Sequence, residues 1–348
     1  MNEELLKAIR MRQLLQSQMD ETVEEADEEG KEEELYISSF KEAYELLQLY
    51  RTPAGARKRQ RLVQYVTDNR LQDNCDLIHN FLMELFRVDD YQQAIPVCDM
   101  ALAFAPHNRD ILGDAIHACG ECGQFQVGLQ YLEIAKKIPT DYWSCRLFIY
   151  AIDFLKTMVE AEPTDRGLFE QAMGLAEEFI RVFPFDEHGY NQKAELLVTM
   201  NRRQEAIQAL EEAIYSTSPD QNDRRASLIC AQCCVTLLNL LDDSSDYDRI
   251  IEIAETGMKH TTQEQPSASI GFFMYRKALA LDAKAHCDNF RKETVNSALR
   301  FYQAAYDLNQ GRGYARTIEQ RYAVLRPHAE SFTPLMKRPF FVEEQTEE

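Results

Sequence analysis

Between residues 73 and 310 one apolar pattern keeps returning. A large residue is followed at offsets of three, seven and ten by positions rich in Ala, Gly and Cys, and a proline comes soon after. Tyr91, Ala94, Cys98 and Ala101 precede Pro106, and Phe125, Gly128, Leu132 and Ala135 precede Pro139. Phe169, Ala172, Ala176 and Phe179 precede Pro184, and Arg203, Ala206, Leu210 and Ala213 precede Pro219. Tyr247, Ile250, Ala254 and Gly257 follow the rule more loosely, as do Val295, Ala298, Tyr302 and Ala305. Offsets of three, seven and ten place residues on one face of a helix. Small residues on that face let a neighbouring helix approach closely. A proline after the last turn stops the helix, because it cannot extend the hydrogen-bond ladder. The leading residues stand 34, 44, 34, 44 and 48 places apart. The three longer intervals predict insertions near 162–167, near 242–246, and between 285 and 294, each in the turn of a helical pair or as a longer first helix.

The flanks read differently. Met1–Met19 is an amphipathic helix by its spacing, and 20–34 carries ten acids against Lys31, as a solvated linker would. A helix follows over Leu35–Tyr50, with Leu35, Phe40, Tyr44, Leu47 and Tyr50 as candidate buried positions. Thr52-Pro53-Ala54-Gly55 breaks it, and a basic helix runs from Ala56 to about Asn69. Beyond 310, Arg312–Leu325 predicts a capping helix. Phe332, Leu335, Met336, Phe340 and Phe341 are apolar anchors in a tail that ends in the acidic stretch 343–348.

A 34-residue helix-turn-helix period resembles the tetratricopeptide repeat family. The best match is Asp186–Ser218, where Tyr190, Ala194, Leu197, Ala206, Leu210 and Ala213 stand at the family's packing positions. Residues 73–106 match next best, although Leu82 takes a place where the first helix usually has a small residue. The resemblance covers roughly 73–310. It implies an all-α fold, an α-solenoid of about six hairpins with flanking helices. The expected organisation is 1–34 helix and acidic linker, 35–72 two helices leading into the array, 73–310 the superhelical array, and 311–348 cap and tail. The resemblance also implies a concave groove lined by first helices that holds a peptide. Carried onto this chain, groove positions fall at His188, Asn191, Glu195, Val198 and Thr199, and at Asp76, His79, Met83, Phe86 and Arg87. The family's two-carboxylate clamp needs a Lys, Asn and Arg set of which only Asn191 and Arg87 are suggestive.

Composition narrows the partners. The formal net charge of −20 repels nucleic-acid phosphate and anionic lipid, and it favours a basic protein or peptide. Against that background Arg51, Arg57, Lys58, Arg59 and Arg61 form a basic patch. Its readings are a solvated helix face, a site for an acidic partner, or an attraction for 20–34. No run reaches the roughly 18 apolar residues of a membrane span, and the nine cysteines are odd in number and lie within helical patterns, so the chain is expected to be cytoplasmic. Cys119/Cys122 and Cys230/Cys233/Cys234 could be thiolate ligands, but they lie in distant repeats and no metal or other cofactor is expected. No phosphate loop, nucleophile elbow or HExxH is present, so the chain does not read as an enzyme. The expected function is a non-catalytic scaffold that recognises a peptide or protein segment. Three alternatives stay open. One is a peptide-sensing regulator without its own DNA-binding domain. Another is an adaptor or homo-oligomer acting through its N-terminal helices. The third is a metal-dependent protein.

Overall fold

The structure, a computed structural model, describes residues 37, 39–217, 224–242, 245–261, 267–309 and 313–329. Met1–Met19, the acidic run 20–34 and the tail anchors from Phe332 onward lie outside the described residues. Among the described residues the fold is all-α. It divides into two compact units, Met1–Val182 and Phe183–Glu348.

Unit 1 contains four helical pairs: α1 Phe40–Leu49 with α2 Ala56–Asp68, α3 Cys75–Phe86 with α4 Tyr91–Phe104, α5 Arg109–Glu121 with α6 Phe125–Ala135, and α7 Cys145–Ala161 with α8 Arg166–Val182. Within the unit, first helices pack on first helices (α1 on α3, α3 on α5, α5 on α7), and α2 packs on α4. The two helices read as leading into the array therefore form a hairpin stacked like the others. Unit 2 contains α9 Glu187–Thr199 with α10 Arg203–Thr217, α11 Arg224–Leu240 with α12 Tyr247–His260, and α13 Ser267–Cys287 with α14 Lys292–Asn309, followed by α15 Ala315–Leu325.

Each unit's core is the small-residue pattern itself. Ala94, Cys98, Ala101, Leu132, Ala135, Ala172, Ala176 and Phe179 are buried in unit 1, and Ala206, Leu210, Ala213, Ile250, Ala254, Ala298 and Ala305 in unit 2. Leu82, at a position the family keeps small, is also fully buried. Gly128 shows why size matters there: a Cβ at that position would lie 2.5 Å from Cζ of Phe154 on α7.

Caps divide the labour between helices. First helices start from polar side chains: Ser39, Asn74, Asn108, Ser144 and Asp186 each accept a backbone N–H of the turn they open. The tight turns to second helices instead use a residue with positive φ: Asp89, Gly123, Asn201 and Asn289. The N–H one place later reaches back five residues, from Asp90 to Leu85 O, Gln124 to Cys119 O, Arg202 to Leu197 O and Phe290 to Ala285 O. That is the Schellman closure of a helix C-terminus.

Three expectations need correction. The helix expected over Leu35–Tyr50 begins at Phe40, because the Ser39 hydroxyl caps it. The cap helix begins at Ala315 rather than Arg312. The first insertion does not lie at 162–167, since α7 and α8 are joined by residues 162–165 alone. It lies in the nine-residue loop 136–144 and in α7, which has 17 residues against 13 in α5. That loop has its own anchor. Trp143 is 1% exposed, donates Nε1–H to Ile138 O at 3.0 Å, and stacks obliquely on Phe148 at 4.9 Å.

Candidate functional site

The first-helix face of unit 1 carries two rows of side chains, each crossing α3, α5 and α7. The first is polar. His79 on α3 donates Nδ1–H to Asp114 Oδ2 on α5 at 2.6 Å, and its Nε2 accepts from the Arg146 guanidinium on α7. Asp114 is 0% exposed and its Oδ1 has no hydrogen-bond partner. Burial pushes the Asp114 carboxyl above the usual range, while the His79 hydrogen bond and the Arg146 charge pull the other way. Beside this row is a hollow of about 370 Å³ lined by Cys75, Asp76, His79, Asp110, Cys145 and Arg146 among others. Burial, then the charge of Asp76, raises the Cys75 thiol, so it is no ready nucleophile.

The second row is aromatic. Phe86 at the end of α3 stacks on Tyr91 at 5.3 Å and meets His117 of α5 edge-on at 5.2 Å. His117 stacks face to face on Tyr150 of α7 at 4.3 Å and 8°. All four rings are half-buried, so each keeps part of its surface in solvent. Carboxylates border them. Glu121 and Asp89 raise the Tyr91 phenol, after burial, to about 12. For His117, burial lowers the pKa, and the charges of Glu121, Asp114 and Asp153 oppose it. His117 is therefore neutral at pH 7.

Of the sequence-derived groove positions in this unit, Asp76 is exposed at the hollow, His79 belongs to the polar row, Phe86 to the aromatic row, and Met83 is half-buried on α3. Arg87 is tied to its own helix. It donates to Glu84 Oε1 at 2.6 Å, and the same buried Glu84 takes Arg51 Nε at 3.0 Å and the Tyr44 hydroxyl at 3.4 Å. Asp114, His117, Arg146 and Tyr150 were missed. They stand on the two first helices to which the family's groove positions were not carried. The offset of 35 from His79 to Asp114 was the available signal.

The basic patch is less continuous than its sequence. Arg59 is 5% exposed and donates to Asp90 Oδ2 at 2.7 Å, Tyr50 O at 2.6 Å and Thr52 O at 2.9 Å. It closes the break between α1 and α2. Arg51 is held on Glu84, and Lys58 lies over the Tyr50 ring at 5.5 Å.

In unit 2, Asn191 Oδ1 on α9 accepts from Thr236 Oγ1 on α11 at 2.8 Å, so one end of its amide is engaged between helices. Glu195 and Val198 are exposed and Thr199 is half-buried. His188 is exposed and its Nδ1 is 2.9 Å from Asp186 Oδ1. Among the described residues, Asp186, Glu187 and His188 are the one trio with ligand atoms within 4.8 Å of one another. Asp186 Oδ1, however, already caps α9 through the His188 N–H at 3.0 Å. Burial chiefly pushes the thiols of Cys119 and Cys233 each up to about 12. No described helix is long and apolar enough to cross a membrane.

Solved structures similar to this chain include two tetratricopeptide repeat proteins. One is a tetratricopeptide repeat protein from Parabacteroides merdae, 11% identical, covering 82% of this chain and 98% of that one at a TM-score of 0.39. The other is the TPR domain of P58(IPK), 12% identical, covering 83% of this chain and 98% of that one at a TM-score of 0.23. Both bear the name of the repeat that the small-residue spacing resembles. At these scores neither overlay carries an argument about function. No family model and no curated protein matches the chain.

Proposed function

We propose that the chain is a non-catalytic scaffold that holds a basic protein or peptide segment on the first-helix face of unit 1. The observation that supports this is the aromatic row Phe86–His117–Tyr150, with Tyr91 beside it, partly exposed and bordered by Glu121, Asp153 and Asp89. Rings with a negative face and neighbouring carboxylates suit an ammonium or guanidinium. Neutral His117 adds to that surface instead of repelling a cation. The net charge of −20 speeds the approach of a basic ligand. Asp76 and Asp110 at the hollow offer a second contact for such a segment.

Selection from a random peptide display library tests the reading. Enriched sequences are expected to carry Lys or Arg. A chosen peptide should bind about tenfold more weakly to a Tyr150→Ala, Glu121→Gln variant whose helical circular dichroism is unchanged. Enrichment of acidic or uncharged peptides, or equal binding by both chains, would count against it.

A further inference from the structure

We propose that the aromatic row of unit 1 selects arginine over lysine in the segment it holds. The proposal rests on the peptide-binding reading and deepens it by naming the side chain. Three observations carry it.

The first is how closely the rings sit. Phe86 and Tyr91 are 5.3 Å apart between centroids, His117 is 5.2 and 5.3 Å from them, and Tyr150 is 4.3 Å from His117. A cation enclosed between two ring faces needs about 7–8 Å, twice an ordinary contact of about 3.5–4.0 Å. None of these four contacts leaves that space, so the row is a ledge and not a cage. Cages suit a rounded, methylated ammonium. A ledge covers its ligand on one side only. A guanidinium is flat, stacks by its face, and sheds water more readily than an ammonium. A lysine on the same ledge keeps most of its hydration and gains little from the rings.

The second is the carboxylate beside the rings. Glu121 stands at i+4 from His117 at the end of α5, so the two share a helix face. Its charge acts on both His117 and Tyr91. It is exposed and has no ion pair among the described residues. The rim of a stacked guanidinium can give a carboxylate two parallel N–H bonds, whereas an ammonium offers it a point charge. The third is where the chain's own cations are. Arg87, Arg146 and Lys156, which border the row, are held by Glu84, His79 and Asp153. The ledge therefore takes its guanidinium from the ligand.

Oligomers of equal charge separate shape from charge. Acetylated, fluorescein-labelled hexa-arginine and hexa-lysine are titrated with the full chain at about 0.15 M salt, where a Debye length of about 8 Å screens the distant acidic surface. Fluorescence anisotropy should show hexa-arginine binding about tenfold more tightly. Tyr150→Leu keeps apolar bulk and removes a stacking face. Glu121→Gln keeps the shape and removes the charge at the rim. Each should bring the ratio to about threefold or less with helical circular dichroism unchanged. Glu121 is exposed, so its variant reports even if Tyr150→Leu unfolds the chain. Equal affinities for the two oligomers, both lowered by the variants, would overturn arginine selection and leave the basic-segment reading standing. A tenfold ratio kept by both variants would put the preference elsewhere on the acidic surface and overturn the proposal as well. If neither oligomer bound, or neither variant changed either affinity, the proposal and the reading beneath it would fall together.

Discussion

Gly128 and Gly174 offer a matched pair of glycine-to-alanine changes with opposite expected signs. Both lie inside helices of unit 1, on α6 and α8. In an open position Ala is better than Gly by about 0.5–1 kcal/mol, because it restricts the unfolded chain. Gly174 is such a position: a Cβ there meets nothing within 4 Å. At Gly128 the Cβ would lie 2.5 Å from Phe154 Cζ and 3.1 Å from Cys119 Cβ, where carbon contacts are ordinarily about 3.5–4.0 Å. Phe154 is itself buried and also meets Gly120, so its ring has little room to retreat. Overpacking of this kind costs about 1–3 kcal/mol, and the helix gain offsets about 1 of it. Gly128→Ala should therefore lose up to about 2 kcal/mol and Gly174→Ala gain about 0.5–1 kcal/mol. Urea unfolding followed by circular dichroism reads both. Adding Phe154→Leu makes room for the new methyl, so Gly128→Ala should cost about 1 kcal/mol less in that background than in the native chain. If Gly128→Ala raised the midpoint as Gly174→Ala does, or if its cost were the same in both backgrounds, the close-approach explanation of the small-residue pattern would fail.

Other outcomes follow from single residues. Trp143→Ala should cost about 3–5 kcal/mol and raise hydrogen exchange across 136–144, since the indole is that loop's core. Arg321 on α15 donates to both oxygens of buried Asp282 on α13, at 2.7 and 2.8 Å. Arg321→Ala should cost about 3 kcal/mol and release α15 first in hydrogen exchange. His117 and His260 both have folded pKa values lowered chiefly by burial, so the unfolded chain binds protons first on acidification. Their contribution to stability is full above about pH 6.5 and is lost as pH falls below it, towards the folded values. A His117→Phe variant, which keeps the stack on Tyr150, should show a shallower loss between about pH 6.5 and 5. Asp114→Asn should hold or raise stability at pH 7, because the raised carboxyl pKa marks a buried charge that the fold disfavours and an amide oxygen can still accept from His79.

The hairpins were legible in the sequence because close helix approach demands small residues at fixed offsets. Ala94, Cys98, Ala101, Ala172 and Ala176 display that demand directly. The first hairpin was harder to read. Its α2 packs through Leu62, Val63 and Val66, and large aliphatic residues fit any buried helix. The insertion before α7 was misplaced because Pro163 and Gly167 look like a long turn, whereas the extra length is held by the buried Trp143, whose role depends on packing. The site was legible only in part. His79 and Phe86 were found by position along one helix, but their partners sit one and two hairpins away. Arg87 and Arg59 look in sequence like charges offered to a ligand. In the fold they neutralise Glu84 and hold the carbonyls of Tyr50 and Thr52.

The two rows across α3, α5 and α7 also set a ruler. Neighbouring helices in contact lie about 8–10 Å apart, and an extended chain advances about 3.3 Å per residue. A polyproline II segment, at about 3.1 Å per residue with three residues per turn, laid across the three helices would therefore meet a new one about every third residue. Its recognised side chains would recur at i, i+3 and i+6, a cadence that an alternating β-strand ligand or a helical ligand could not keep.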